Sequence, residues 1–287
     1  MGTFNPKLLS KAELEWHYNP RATVPDLEPY MKLRGEANNA TFRNLRRIPD
    51  LRYGPNPNEL LDIYPAISIN SPTLVYIHGG YWRAGYKEDW AFVAGPLVKN
   101  GITTAVLSYD LCPTIDLDGI VAEISRSLVW LYQNIKKYNG NPDNIFISGS
   151  SAGAHLSAMM LSIDWESQGM PENLIKGSLL ITGIYDILPV LEISVNKDIR
   201  LDYDAAVRNS PLHKPPRNNA PLVAVFGGDE AEGWKQESRR YARMCHANKI
   251  KCELIEIGDQ NHFSLGTLLG VENSLLVKII LDQMSPA

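Results

Sequence analysis

A serine set between glycines, Gly149-Ser150-Ser151-Ala152-Gly153, is the clearest candidate for covalent chemistry in this 287-residue chain. A serine hydroxyl is a weak nucleophile. It becomes effective when a base takes its proton and fixed donors meet the oxyanion that its attack creates. The G-x-S-x-G pattern carries meaning only where a strand runs into it and a helix leaves it. Both flanks read that way: residues 144–148 (NIFIS) as a buried strand and 152–162 as a helix. The sharp turn between them would expose the Ser151 hydroxyl, and Ala152 would offer an unpaired N–H at the helix start. Alone, the pentapeptide could be an inert glycine-serine turn, so the other required groups decide the matter. Ser148 and Ser150 are nearby hydroxyls outside the central position.

Donors for the oxyanion are sought after an earlier strand. Residues 73–77 (TLVYI) read as one, and His78-Gly79-Gly80-Tyr81-Trp82 follows. Glycines let a loop turn its N–H groups toward developing charge, so Gly79, Gly80 and Ala152 are the candidate donors. One such donor is worth about 2.7–4 kcal/mol in a transition state. His78 is expected to brace this loop. Tyr81 and Trp82 would either wall the substrate pocket or pack in the core.

Of the six histidines, at 17, 78, 155, 213, 246 and 262, only His262 falls between the last predicted strand and the last helix. That satisfies the chain order nucleophile, acid, histidine. His155, one turn into the serine helix, reads as a satisfied core residue. The acid should follow the strand 221–226 (PLVAVF), where Gly227-Gly228-Asp229-Glu230 offers two carboxylates. The spacing of glycine, two residues, then acid favours Glu230, with Asp229 the alternative.

The elements that must position these groups alternate as βα units from residue 73 onward. That predicts an α/β-hydrolase fold: a mostly parallel sheet with helices on both faces. A single domain over 1–287 is expected. Residues 1–50 would form an N-terminal arm, with a short helix at 11–16 followed by extended chain. Residues 185–219 break the rhythm and are a candidate cap.

Composition narrows the function. Hydrophobic residues make up 44% and charged residues 21%, with a formal net charge of -4. No basic stripe suggests nucleic acid, and no polybasic run suggests an anionic membrane. No apolar run approaches the roughly 18 residues of a membrane span. Cys112, Cys245 and Cys252 form no CxxC pair, which argues against a disulfide framework and a zinc site. Sparse free thiols and an N-terminus without an apolar core make cytoplasmic the expected location. No G-x-G-x-x-G follows the early strands, so a dinucleotide-binding protein is not indicated. A ligand receptor built on the same fold could dispense with some of these groups; this chain has a candidate for every one.

The segments YNPRA (18–22), HGGYW (78–82), SYDLCP (108–113), GSSAGAHL (149–156), TGIYD (182–186), NSP (209–211), GGDE (227–230) and NHF (261–263) together resemble the kynurenine formamidase (arylformamidase)-like branch of the α/β-hydrolases. Ser150 stands where members of that branch usually carry histidine. The resemblance implies release of formate from the N-formyl amide of N-formyl-L-kynurenine, a step of tryptophan catabolism. It implies Ser151, Glu230 and His262 as the triad, with Trp82 and Tyr185 near the substrate. Such chemistry needs no metal and no organic cofactor. The expected partner is a small aryl amide or ester, and a homodimer is compatible with the reading. The alternative activity is a carboxylesterase for short-chain or aryl esters.

Overall fold

Runs of β-branched and apolar residues without polar alternation belong to strands buried on both faces. In the computed structural model, which describes residues 4–285, they build one eight-stranded sheet. Residues 1–3 and 286–287, the ends of the expected 1–287 domain, lie outside the described part. The strands are β1 (Ile48–Arg52), β2 (Leu60–Tyr64), β3 (Ser71–Ile77), β4 (Thr103–Leu107), β5 (Gly140–Ser150), β6 (Ile175–Ile181), β7 (Leu222–Gly227) and β8 (Cys252–Ile257). Their order is β1-β2-β4-β3-β5-β6-β7-β8. Only the pairs β1–β2 and β2–β4 are antiparallel.

Alternate residues feed two cores. Val75, Ile77, Ile145 and Ile147 point into one, and Leu74, Tyr76 and Phe146 into the other. Full burial of each aliphatic side chain contributes about 1.5–3 kcal/mol. Register then fixes the site. Ile77 pairs with Gly149, Ser150 with Ile181, and Gly227 with Ile257. The residues that leave β3, β5, β6 and β7 therefore emerge along one carboxyl edge, where ligands bind in open α/β sheets.

The helices are α1 (Lys11–Tyr18), α2 (Pro20–Thr23), α3 (Glu28–Asn44), α4 (Ala94–Lys99), α5 (Leu117–Asn134), α6 (Ala152–Leu161), α7 (Asn196–Ile199), α8 (Tyr203–Arg208), α9 (Glu232–Ala247), α10 (His262–Thr267) and α11 (Leu275–Met284). In α5 the buried residues Leu117, Ile120, Ile124, Leu128 and Leu131 keep the 3.6-residue period, and Asp116 caps it by accepting from Gly119 N–H at 2.8 Å. Helices α1, α5, α6 and α9 cover the first core; α4, α10 and α11 cover the second.

One expectation needs correction. The N-terminal segment is not an extended arm, because α2 and the 17-residue α3 follow α1. Pro20 and Pro29 sit in the first turns of α2 and α3, where a missing N–H costs nothing, so they start helices rather than break them. Between β3 and β4 the chain forms a 3₁₀ turn (Lys87–Val93) that runs into α4.

Candidate active site

Ser151 connects β5 to α6 at φ 58° and ψ -120°, a conformation that side chains rarely adopt. It is held there by its neighbours. The Ser151 N–H donates to Ile181 O at 2.8 Å, one residue beyond the last β5–β6 pair. A Cβ on Gly153 would lie 1.9 Å from Ile77 O, and one on Gly149 would lie 2.4 Å from the Gly153 carbonyl carbon. Both glycines are thus required by the close approach of β3, β5 and α6.

His262 is the first residue of α10. Asn261 caps that helix, its side chain accepting from the N–H groups of Phe263 and Ser264 at 2.9 and 3.0 Å. The ring then lies between two partners: Nε2 is 2.9 Å from Ser151 Oγ and Nδ1 is 2.7 Å from Glu230 Oε1. A carboxylate can only accept, so Nδ1 carries the proton and Nε2 presents a lone pair to the serine.

Glu230 is buried, while Asp229 is exposed. Of the two carboxylates that spacing offered, Glu230 is the one that reaches the imidazole. Both Glu230 oxygens are occupied: Oε2 accepts from Gly227 N–H at 2.8 Å, and Oε1 accepts from the Thr182 hydroxyl as well as the imidazole. The Trp234 ring lies 4.5 Å from the imidazole.

The N–H groups of Gly79, Gly80 and Ala152 donate to no protein acceptor among the described residues. The loop that carries the two glycines presses on the serine turn, since a Cβ at Gly79 would lie 2.6 Å from Ser150 O. His78 braces it: Nδ1 bonds Gly79 O at 2.7 Å, and the ring stacks on Tyr109 at 4.3 Å. The Tyr109 hydroxyl donates to His78 O at 2.8 Å. Burial pulls the His78 pKa down to about 4, so the ring is neutral near pH 7.

Ser151, His262, Gly79 and Gly80 line a cavity of about 760 Å³. Tyr81 lines it, and its hydroxyl donates to Tyr18 O at 2.7 Å. Trp82 and Tyr185, expected near the substrate, do not line it. Both are fully buried in the first core. The Trp82 indole donates to His155 Nδ1 at 3.2 Å, and His155 Nε2 bonds Asn209 O at 2.6 Å. Tyr185 stacks on Tyr241 at 4.2 Å. Burial also lowers the His155 pKa to about 4.

Most of the cavity's cover comes from the N-terminal segment, which supplies Asn19, Pro20, Leu27, Met31 and Arg34; within 185–219 only Asp198 lines it. Pattern reading overlooked these residues because they are remote in sequence from the serine. It also left Thr182 without a role, although its place directly after β6 puts it on the carboxyl edge. Among the described residues, no cluster of three or more His, Cys, Asp or Glu could hold a metal ion. No single helix among them is long and apolar enough to cross a membrane.

An imidazole between a buried carboxylate and a strained serine, facing free N–H groups at the carboxyl edge of a parallel sheet, can transfer acyl groups. The fold is that of an α/β-hydrolase. A family described as BD-FAE matches residues 61–197. The solved structure of a candidate thioesterase from Silicibacter sp. superposes with a TM-score of 0.81 at 26% identity, covering 93% of this chain and 98% of that one. An esterase from Pyrobaculum calidifontis superposes with a TM-score of 0.70 at 15% identity, covering 98% of each chain.

Within this class the sequence is 31% identical to the kynurenine formamidase of Danio rerio, over 97% of this chain and 98% of that one. Its identity to the kynurenine formamidase of Salmo salar is also 31%, with the same coverage. The chain belongs to the kynurenine formamidase family and is a hydrolase of amide or ester bonds.

Proposed function

We propose that the protein removes the formyl group of N-formyl-L-kynurenine, with Ser151, His262 and Glu230 as catalytic triad. The observation that carries this reading is the unbroken path from Ser151 Oγ through His262 to Glu230 beside the cavity. Membership of the kynurenine formamidase family supports this choice of substrate.

His262 Nε2 takes the Ser151 proton as Oγ attacks the formyl carbon. The carbonyl oxygen becomes an oxyanion that accepts from the N–H groups of Gly79, Gly80 and Ala152. The imidazolium, stabilised by Glu230, then protonates the aryl amine nitrogen, the C–N bond breaks and kynurenine departs. Water attacks the formyl-serine by the same proton route, releasing formate and restoring the hydroxyl. Tyr81 lines the space beside the acyl group. Trp82 acts through the loop, fixing its position by the bond to His155.

The test compares kcat/KM for N-formyl-L-kynurenine with that for p-nitrophenyl acetate. The formyl amide is expected to be preferred. Ser151→Ala should abolish both activities and labelling by a fluorophosphonate, and Ser150→Ala should retain them. A strong preference for the nitrophenyl ester would replace this reading with that of a carboxylesterase.

A further inference from the structure

Arg34 on α3 lines the same cavity as Ser151 and His262. Its guanidinium lies 4.2 Å over the Trp90 ring, and Nη2 reaches Phe263 O only at 3.4 Å. Nε is shut off from solvent and donates to nothing. Among the described residues Arg34 forms no salt bridge, whereas Arg83 at the same cavity is paired with Asp198. Asp89 also lines the cavity, but it is exposed, and its Oδ2 accepts from Tyr86 N–H at 3.0 Å.

The position is built. The Tyr30 and Phe263 rings stack at 6.3 Å, and Asn261 Nδ2 donates to the Tyr30 hydroxyl at 2.7 Å. The helix that carries Arg34 is therefore tied to the residues on either side of His262. Burial depresses the guanidinium pKa without neutralising it. A half-buried cation whose Nε is shut off from water and unpaired is costly unless an acceptor arrives to meet it.

We infer that Arg34 is a specificity-determining residue that anchors a carboxylate on the substrate, so that favoured substrates carry the scissile acyl group and a carboxylate on one small molecule. This rests on the acyl-transfer reading of the Ser151 site and deepens it. The guanidinium held over the indole is itself planar, and its N–H fork matches the planar, two-oxygen geometry of a carboxylate. A cavity of about 760 Å³ has room for a molecule bearing both groups.

The experiment uses N-formyl-L-kynurenine and its methyl ester, which differ only in the carboxylate. Wild-type kcat/KM is expected to favour the acid by about 10- to 100-fold, the range for one hydrogen-bonded charged pair. Arg34→Met should erase that preference, chiefly through KM, while turnover of p-nitrophenyl acetate changes by less than about threefold; Arg34→Lys should keep part of it. A second arm needs no formyl chemistry. L-kynurenine and its methyl ester compete against p-nitrophenyl acetate, and only the acid's inhibition constant should rise in Arg34→Met. If acid and ester behave alike in both arms, or Arg34→Met weakens all substrates in parallel, the anchor is refuted and Arg34 is a packing residue. If the wild type hydrolyses the nitrophenyl ester but neither formyl compound, the proposed function fails, and the competition arm alone decides the anchor.

Discussion

Glu230→Gln is the substitution whose effect the geometry predicts most sharply. Gly227 N–H faces one oxygen of Glu230 and can only donate, so the Gln side chain must present its own oxygen there. Its amide nitrogen then occupies the Oε1 position, facing Thr182 Oγ1 and His262 Nδ1. Two donors cannot share that contact, and the imidazole must move its proton from Nδ1 to Nε2. Nε2, 2.9 Å from Ser151 Oγ, can then no longer accept the serine proton. The opposite amide orientation would set two donors against each other at Gly227, at a cost of about 1–3 kcal/mol. The expected loss in kcat is about 10³- to 10⁴-fold, the scale seen when such a tautomer is trapped in serine proteases, or about 4–5.5 kcal/mol. The Gln side chain still meets Gly227, and only the Thr182 hydroxyl loses its acceptor, so Tm should fall by no more than the cost of one hydrogen bond, about 1 kcal/mol. Asp229→Asn, at an exposed side chain, should leave kcat within about twofold. Steady-state kinetics on purified variants, with melting curves alongside, provide the check. An equal loss at both positions, or a larger one at Asp229, would refute the assignment of the acid.

Further outcomes follow from burial and close packing. Gly153→Ala places a methyl group 1.9 Å from Ile77 O, a contact that the β3–β5–α6 junction can relieve only by moving backbone. It should cost more than about 3 kcal/mol of stability, read as a large drop in Tm or loss of soluble protein. The neutral, buried His78 and His155 take up protons only near pH 4, whereas in the unfolded chain they do so near 6.5. The unfolded state therefore binds more protons throughout that window, and stability must fall as pH drops from about 6.5 to 4. Each ring contributes on the order of 3 kcal/mol. Urea titrations across this range should show a steeper decline in wild type than in His155→Gln.

The chemistry proved more legible in the sequence than its enclosure. Strands β3 to β7 contain apolar runs bounded by glycines, prolines and polar turns, while β8 (CELIEI) carries two glutamates. Their order in the chain, with strand-helix-strand units, carries the serine, acid and histidine loops to one edge. Spacing favoured Glu230 over Asp229, and in the fold it is Glu230 that is buried, accepting from the Gly227 N–H and meeting the imidazole. Trp82 and Tyr185 stand beside site residues in the sequence, yet their side chains turn into the first core, where Trp82 meets His155 and Tyr185 stacks on Tyr241. Pro20 and Pro29 read as punctuation although each opens a helix. The cover over the cavity escaped notice for the same reason. Nothing in 11–44 has a strong apolar face: α1 gives the first core only Leu14 and Tyr18, and α3 buries only Asn38 and Thr41.

Tyr81, Trp82, Ser151 and Thr182 all adopt positive φ, at 53°, 56°, 58° and 44°. Each such conformation costs a residue with a side chain about 1–3 kcal/mol. The four do not scatter: they directly follow β5, β6 and the HGG loop after β3, around one imidazole. Each is held by a bond from outside the turn. Ser151 N–H reaches Ile181 O, Thr182 N–H reaches Val225 O at 2.7 Å, Trp82 O accepts from Cys112 N–H at 2.8 Å, and the Tyr81 hydroxyl reaches Tyr18 O. Two of these simply extend the parallel ladder by one residue past the last strand pair. The same register that buries the apolar runs thus forces the bends that expose the serine and seat Thr182 against Glu230. The stability of the sheet maintains the strain of the site, so the strained residues cannot relax singly while the sheet stays folded.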